Sequence, residues 1–233
     1  MAKVIGVLGG MGPEATADFF VKLIRRTPAK KDAGHLRVII DSNPQIPDRT
    51  EAVEGRGPSP VPQLIATAKN LVRAGADLIA IPCITAHAFL DDLRASVEVP
   101  VLDAMALIGK HVDGRLAAED RLALLASTGT LKMRLFRRAM PGRKFLLPTD
   151  DEQERIVMDA IYGPAGVKTV GVDAGTLERM QDYVAQLAAR GAAGVIAGCT
   201  EFSVLFVHAE LPVPLIDPMW LLAEEAVRLA RET

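Results

Sequence analysis

The sequence predicts an α/β protein of two duplicated halves, each a short parallel sheet flanked by helices. Three observations lead there. Short β-rich apolar runs alternate with stretches of helical periodicity. Similar motifs recur in the same order about half a chain apart. The two cysteines of the 233-residue chain stand at equivalent ends of predicted strands.

The elements follow in order. Residues 4–8, VIGVL, read as the first strand, followed by a glycine-rich turn and a helix over 13–26 opened by Pro13. Residues 36–40 form the second strand. The next segment, DSNPQIPDRTEAVEGRGPSP (41–60), is long, polar and proline-rich. It reads as a solvated surface loop, or as a lid over a site with Arg49 as its most useful residue. Residues 60–76 carry Leu64, Ile65, Ala68, Leu71 and Val72 at helical spacing. Residues 78–81 and 99–102 are the third and fourth strands. Such alternation implies parallel strands with right-handed crossovers, and ligands in such sheets bind beyond the carboxyl ends of the strands. Cys83 stands at such an end.

The pattern then repeats. RAGADLIAIPCITAH (73–87) resembles ARGAAGVIAGCTEFS (189–203), VPVLDAM (99–105) resembles VPLIDPM (213–219), and GVLGGMG (6–12) resembles ALLASTG (123–129). Three matches in order at one spacing indicate internal duplication. The expected domains are 1–103 plus 216–233, carrying Cys83, and 104–215, carrying Cys199. Two such units facing each other would bring both cysteines to one cleft. A thiol just before a helix start meets backbone N–H groups that favour its thiolate, against an ordinary value of ~8.5. Two thiols across a cleft form an acid–base pair; the plainer alternative is two small buried hydrophobes.

Composition narrows the function. The chain is 49% hydrophobic and only 4% aromatic, so Ala, Val, Leu and Ile build its core. Lys plus Arg number 27 against 29 for Asp plus Glu, a net charge of −2. Without a basic block, nucleic acid is not an expected partner. No apolar run nears the roughly 18–20 residues of a membrane span, and no membrane partner is expected. The N-terminal run is broken by glycines and proline, unlike a signal peptide. Two cysteines do not make a disulfide framework. The expectation is a cytoplasmic protein with reduced thiols. No His/Cys/Asp spacing forms a metal site. Gly10-x-Gly12-x-x-Ala15 after a strand partly fits a dinucleotide fingerprint, with Asp41 ending the second strand. Pro13 in the turn, the late position of Asp41 and the missing substrate domain argue against it. No Gly-Lys-Ser/Thr follows the turn, which excludes a P-loop.

GVLGGMGPEATADF, IPDRT, PCITAH and GCTEF, in that order and over essentially the whole chain, resemble the aspartate/glutamate racemase family. The resemblance implies a cofactor-independent isomerase with two duplicated α/β domains and a homodimeric state. One cysteine removes the α-proton of an amino acid and the other returns a proton to the opposite face. Carried over, Cys83 and Cys199 are the catalytic thiols. Arg49 and Lys168 match positions that grip a distal carboxylate. Thr85, Thr200 and Glu201 match contacts to the α-carboxylate and amino group, and the turn at Met11 and Gly12 lines the same pocket. By composition alone, Thr200 and Glu201 read as helix-capping residues and His87 as a helix-start residue. The chain departs from the family pattern at Ile84, where relatives usually carry an Asn whose amide bonds the substrate. Either another group or water then holds the α-substituents, or the substrate lacks one. The substrate class is an acidic or related amino acid. The alternatives are a maleate-isomerase-like cis–trans isomerase, in which one thiol adds covalently, and a non-catalytic binder of an acidic amino acid or dicarboxylate.

Overall fold

The computed structural model describes residues 2–232. Its elements in chain order are β1 (Ile5–Gly9), α1 (Pro13–Arg26), β2 (Val38–Ser42), α2 (Arg49–Val53), α3 (Val61–Arg73), β3 (Leu78–Ala80), α4 (Leu90–Arg94) and α5 (Ala104–Asp113). There follow β4 (Arg121–Leu125), α6 (Thr128–Lys132), α7 (Leu135–Ala139), β5 (Lys144–Leu146), α8 (Asp150–Glu152), α9 (Asp159–Tyr162), α10 (Val167–Val170) and α11 (Ala174–Ala189). The chain closes with β6 (Ala192–Ala197), α12 (Thr200–Leu205), β7 (Leu215–Ile216) and α13 (Pro218–Arg231). It divides into two compact units, one running to Ala104 and resuming at Met219, the other Met105–Pro218.

The first unit holds a parallel sheet in the order β2-β1-β3. Central β1 is buried along its whole length, so it shows no polar alternation. Ala15, Phe19 and Leu23 recur on one face of α1 and are buried, as a 3.6-residue repeat requires. Pro13 opens α1, with Glu14 in its first turn and Arg25 and Arg26 in its last, matching the helix dipole. Lys22 is buried on α1, paired with Asp18 and 5.5 Å over the Trp220 ring. That ring, with Arg26 5.1 Å over it, ties α13 to α1. Leu8, Leu64, Leu71 and Ile79 belong to the core between α3 and the sheet.

Two expectations change here. The predicted fourth strand at 99–102 is a single bridge between Ile79 and Val101. Ile79 N donates to Pro100 O at 2.8 Å and Leu102 N to Ile79 O at 2.9 Å. Pro100 has no N–H to extend a ladder. The 41–60 segment is anchored rather than solvated, with Ile46, Arg49 and Thr50 buried. Asp48 caps α2 within it, its Oδ1 accepting from Thr50 N at 2.7 Å and Glu51 N at 2.9 Å.

The second unit repeats the plan with a parallel sheet in the order β5-β4-β6-β7. Strand β4 takes the place of β1, β5 that of β2, and β6 that of β3. Strand β7 corresponds to the Val101 bridge. The motifs matched in the sequence thus occupy matching places in two sheets.

Candidate active site

In the first unit the chain leaves β3 through Ile81 and Pro82 and turns at once. Cys83 N donates to Ile81 O at 2.8 Å. Cys83, Ile84 and Thr85 are buried, at 4%, 2% and 6% exposure. The helix expected after Cys83 is a five-residue 3-10 turn, Thr85–Phe89, with Ile84 rather than Cys83 in the cap position. His87 in this turn is buried, and its Nδ1 lies 2.9 Å from Cys83 O. Its Nε2 accepts from Ala104 N at 3.1 Å.

Because β1 pairs in parallel with β3, the turn after β1 reaches the same sheet edge as Cys83. Gly10 sits at φ +90°, where its missing Cβ leaves room for the Asn43 backbone; a Cβ would stand 2.3 Å from Asn43 C. Thr16 Oγ1 accepts from Gly10 N at 2.8 Å and donates to Gly12 O at 2.9 Å, holding the Met11–Gly12 turn from below. Arg49 Nη2 donates to Met11 O at 3.1 Å, and Nη1 to Ile46 O at 3.3 Å and Pro47 O at 3.1 Å. Its guanidinium thus clamps the β1 turn to the loop before α2. Helix α2 in turn packs against the 3-10 turn after Cys83.

In the second unit the chain leaves β6 through Gly198, where a Cβ would fall 2.6 Å from Leu124 Cδ1. Cys199 is the N-cap of α12 and is 7% exposed. Its Sγ lies 2.7 Å from Glu201 Oε2, which Thr200 Oγ1 also approaches at 3.3 Å. Lys168 Nζ, on α10, lies 2.7 Å from Glu201 Oε1 and 5.7 Å from the Tyr162 ring centroid. Burial opposes ionisation of Glu201, but the Lys168 charge and the hydrogen bonds from Cys199 and Lys168 outweigh it, leaving its carboxyl below the ordinary value of 4.5. An ionised carboxylate has no proton to give. Cys199 is therefore the donor in this contact, a thiol, although it begins a helix. Ser203 Oγ donates to Asp217 Oδ1 at 2.6 Å and braces α12 from its buried side.

Within the first unit, then, the structure gathers Met11, Gly12 and Arg49 and sets Cys83, Ile84 and Thr85 at the same sheet edge. Within the second it gathers Lys168, Cys199, Thr200 and Glu201. Arg49 and Lys168, expected at a substrate carboxylate, here hold backbone carbonyls and Glu201. The two hydrogen bonds of His87 escaped sequence reasoning. Its only local signal is the four-residue step from Cys83, which sets a ring over a carbonyl one turn back. Among the described residues, no group of three or more His, Cys, Asp or Glu could hold a metal ion, and no helix is long and apolar enough to cross a membrane. Neither cysteine is in a disulfide.

The family model for Asp/Glu/Hydantoin racemase matches residues 8–226. The broad specificity amino-acid racemase RacX of Bacillus subtilis (strain 168) is 24% identical over 230 residues, covering 96% of both chains. The structure of Picrophilus torridus aspartate racemase superposes with a TM-score of 0.84 at 26% identity, covering 98% of this chain and 94% of that one. That of an aspartate racemase homologue from Pyrococcus horikoshii OT3 gives a TM-score of 0.73 at 26% identity, over 99% and 100% of the two chains. The named relatives are racemases and hence isomerases.

Proposed function

The chain belongs to the Asp/Glu/Hydantoin racemase family, and from that premise we propose that it is a cofactor-independent amino-acid racemase working through Cys83 and Cys199. The observation that carries the reading is the equivalence of the two buried thiols. Each follows the matching strand of its own unit, β3 or β6, at the carboxyl edge of a parallel sheet. Inversion at Cα needs a base on one face and an acid on the other. One thiolate takes the α-proton and becomes a thiol. The electron pair left on Cα takes a proton from the second thiol, which becomes a thiolate. The enzyme ends with thiol and thiolate interchanged, ready for the opposite enantiomer.

The Cys199–Glu201 contact supports Cys199 as the proton donor of the resting state, which assigns Cys83 as the first base. Ionised Glu201 is a partner for the substrate ammonium, and the Thr85 and Thr200 hydroxyls, with the Met11–Gly12 turn, for its carboxylate. Arg49 and Lys168 supply the cations for a side-chain carboxylate, so aspartate and glutamate belong to the range. Ile84 offers no side-chain hydrogen bond and weakens that preference. The Bacillus subtilis relative, named for broad specificity, supports a range beyond acidic side chains. A cytoplasmic homodimer completes the reading; light scattering tests its oligomeric part.

The test is α-proton exchange in heavy water across a panel of L- and D-amino acids. Wild type should exchange and racemise at least one of them. Cys83→Ala and Cys199→Ala should each abolish racemisation. Near wild-type turnover in either variant would exclude the two-thiol mechanism.

A further inference from the structure

The His87 ring touches the peptide of Cys83. Its two ring nitrogens have different partners, and those partners fix its tautomer. Ala104 N–H can only donate, so Nε2 accepts from it at 3.1 Å. The proton therefore sits on Nδ1, which donates to Cys83 O at 2.9 Å. Both nitrogens are committed to backbone, so the ring is no proton relay for the thiol.

The two partners lie far apart in sequence. Ala104 opens α5, and its N–H is one of the helix-start donors that no carbonyl of the same helix can accept. Cys83 is held on its other side by the bond from its N–H to Ile81 O. The peptide of the thiol residue is thus pinned at both ends, and one of the pins is His87, whose tautomer Ala104 N–H fixes. With the ring buried at 6% exposure, water cannot replace either bond without opening the segment.

We propose that His87 is a positioning residue, which sets the direction of the Cys83 thiol by donating from Nδ1 to the Cys83 carbonyl. The proposal rests on the reading of Cys83 as a catalytic base. A thiol that must approach one face of a Cα atom is sensitive to small displacements, whereas substrate binding spread over several groups is not.

Two variants separate the bonds. Asn places its amide where Nδ1 stands and keeps the donor to Cys83 O. Gln places its amide nearer Nε2 and keeps the acceptor for Ala104 N–H. His87→Gln should lower kcat on the order of ten- to hundred-fold with KM within about twofold, while His87→Asn should restore most of kcat. A second readout does not depend on turnover: the rate of Cys83 alkylation by iodoacetamide relative to Cys199, read by peptide mass spectrometry. In His87→Gln that ratio should rise on the order of tenfold, because the pinned segment opens more easily; in His87→Asn it should stay near wild type. A His87→Gln enzyme with wild-type kcat and an unchanged alkylation ratio would overturn the proposal, as would equal loss in both variants. If no amino acid is turned over by wild type, the racemase reading fails, and the alkylation ratio still decides whether His87 positions Cys83.

Discussion

Glu201 stays ionised at 3% exposure because Lys168 neutralises it and two side-chain donors point at it. This arrangement gives the residue two tasks. It holds the Cys199 proton on sulfur, and in the proposed reaction its negative charge would meet the substrate ammonium. Its carboxyl lies below 4.5 when folded, so its contribution is complete above that value and is lost as pH falls through the depressed one. Glu201→Gln should therefore cost about 3 kcal/mol at neutral pH, the low end for a broken buried pair because Lys168 is 19% exposed. The gap to wild type should shrink as pH falls below 4.5, which urea titrations at a series of pH values would show. A gap independent of pH would place the stabilisation elsewhere. Ile84, 2% exposed and next in sequence to Cys83, enters the proposal through the substrate. Ile84→Asn returns a donor and an acceptor, and should raise kcat/KM for aspartate or glutamate about tenfold for each 1.4 kcal/mol regained. Lower activity on every acidic amino acid would make the isoleucine a positive part of the site.

Elements reach the site by their ends. Strand β3 is three residues long, and α2 and α12 are five and six. None is long enough to stand alone, so each is held by side chains from its neighbours. Arg49 ties the start of α2 to the exit of β1, and Asp217 braces α12. His87 joins the exit of β3 to Ala104. Burial, the largest influence, holds the His87 ring below the ordinary 6.5; the Cys83 carbonyl and Asp103 favour its charge, and Arg94 opposes it. A histidine depressed on folding binds fewer protons folded than unfolded. Stability should thus be full above pH 6.5 and fall on acidification below it, until the folded value is reached. Thermal melts of wild type between pH 7 and 5 should show this loss, at most about 1.4 kcal/mol per pH unit from this group. His87→Asn, which cannot titrate, should lose that part of the slope. Equal slopes in the two proteins would mean that the ring does not carry it.

At the scale of the whole chain, the reaction proposed for it draws only on side chains, two thiols and the groups that orient them. Racemisation should accordingly survive dialysis, a chelator and carbonyl reagents, and fail after thiol alkylation; loss to a chelator with recovery on adding metal would contradict this. The duplication was legible because it is written in short motifs at a constant spacing, and both sheets follow it. The strand ends were legible too, since an apolar run that meets proline or glycine must stop there. The helix over 13–26 agrees with α1 to the residue because Pro13 and the closing arginines mark both ends. What neighbours decide was not legible. A β-rich run at 99–102 shrinks to one bridge because a ladder depends on the N–H groups facing its partner, and Pro100 lacks one. Arg49 read as a solvated or substrate-facing cation, but three carbonyls, one of them 38 residues away, draw its guanidinium inward. Each cysteine read as a thiol before a helix start that favours its thiolate, with nothing to say which of the two holds the proton. A carboxylate two residues on, held in place by a lysine from another helix, keeps Cys199 a thiol. The sequence by itself determined periodicity, duplication and the positions of the thiols, because these depend on residues close together or evenly spaced. Only the tertiary structure decided the partner of each buried charge and the side of each hydrogen bond that holds the proton, because those energies depend on contacts between distant residues in a medium of low dielectric.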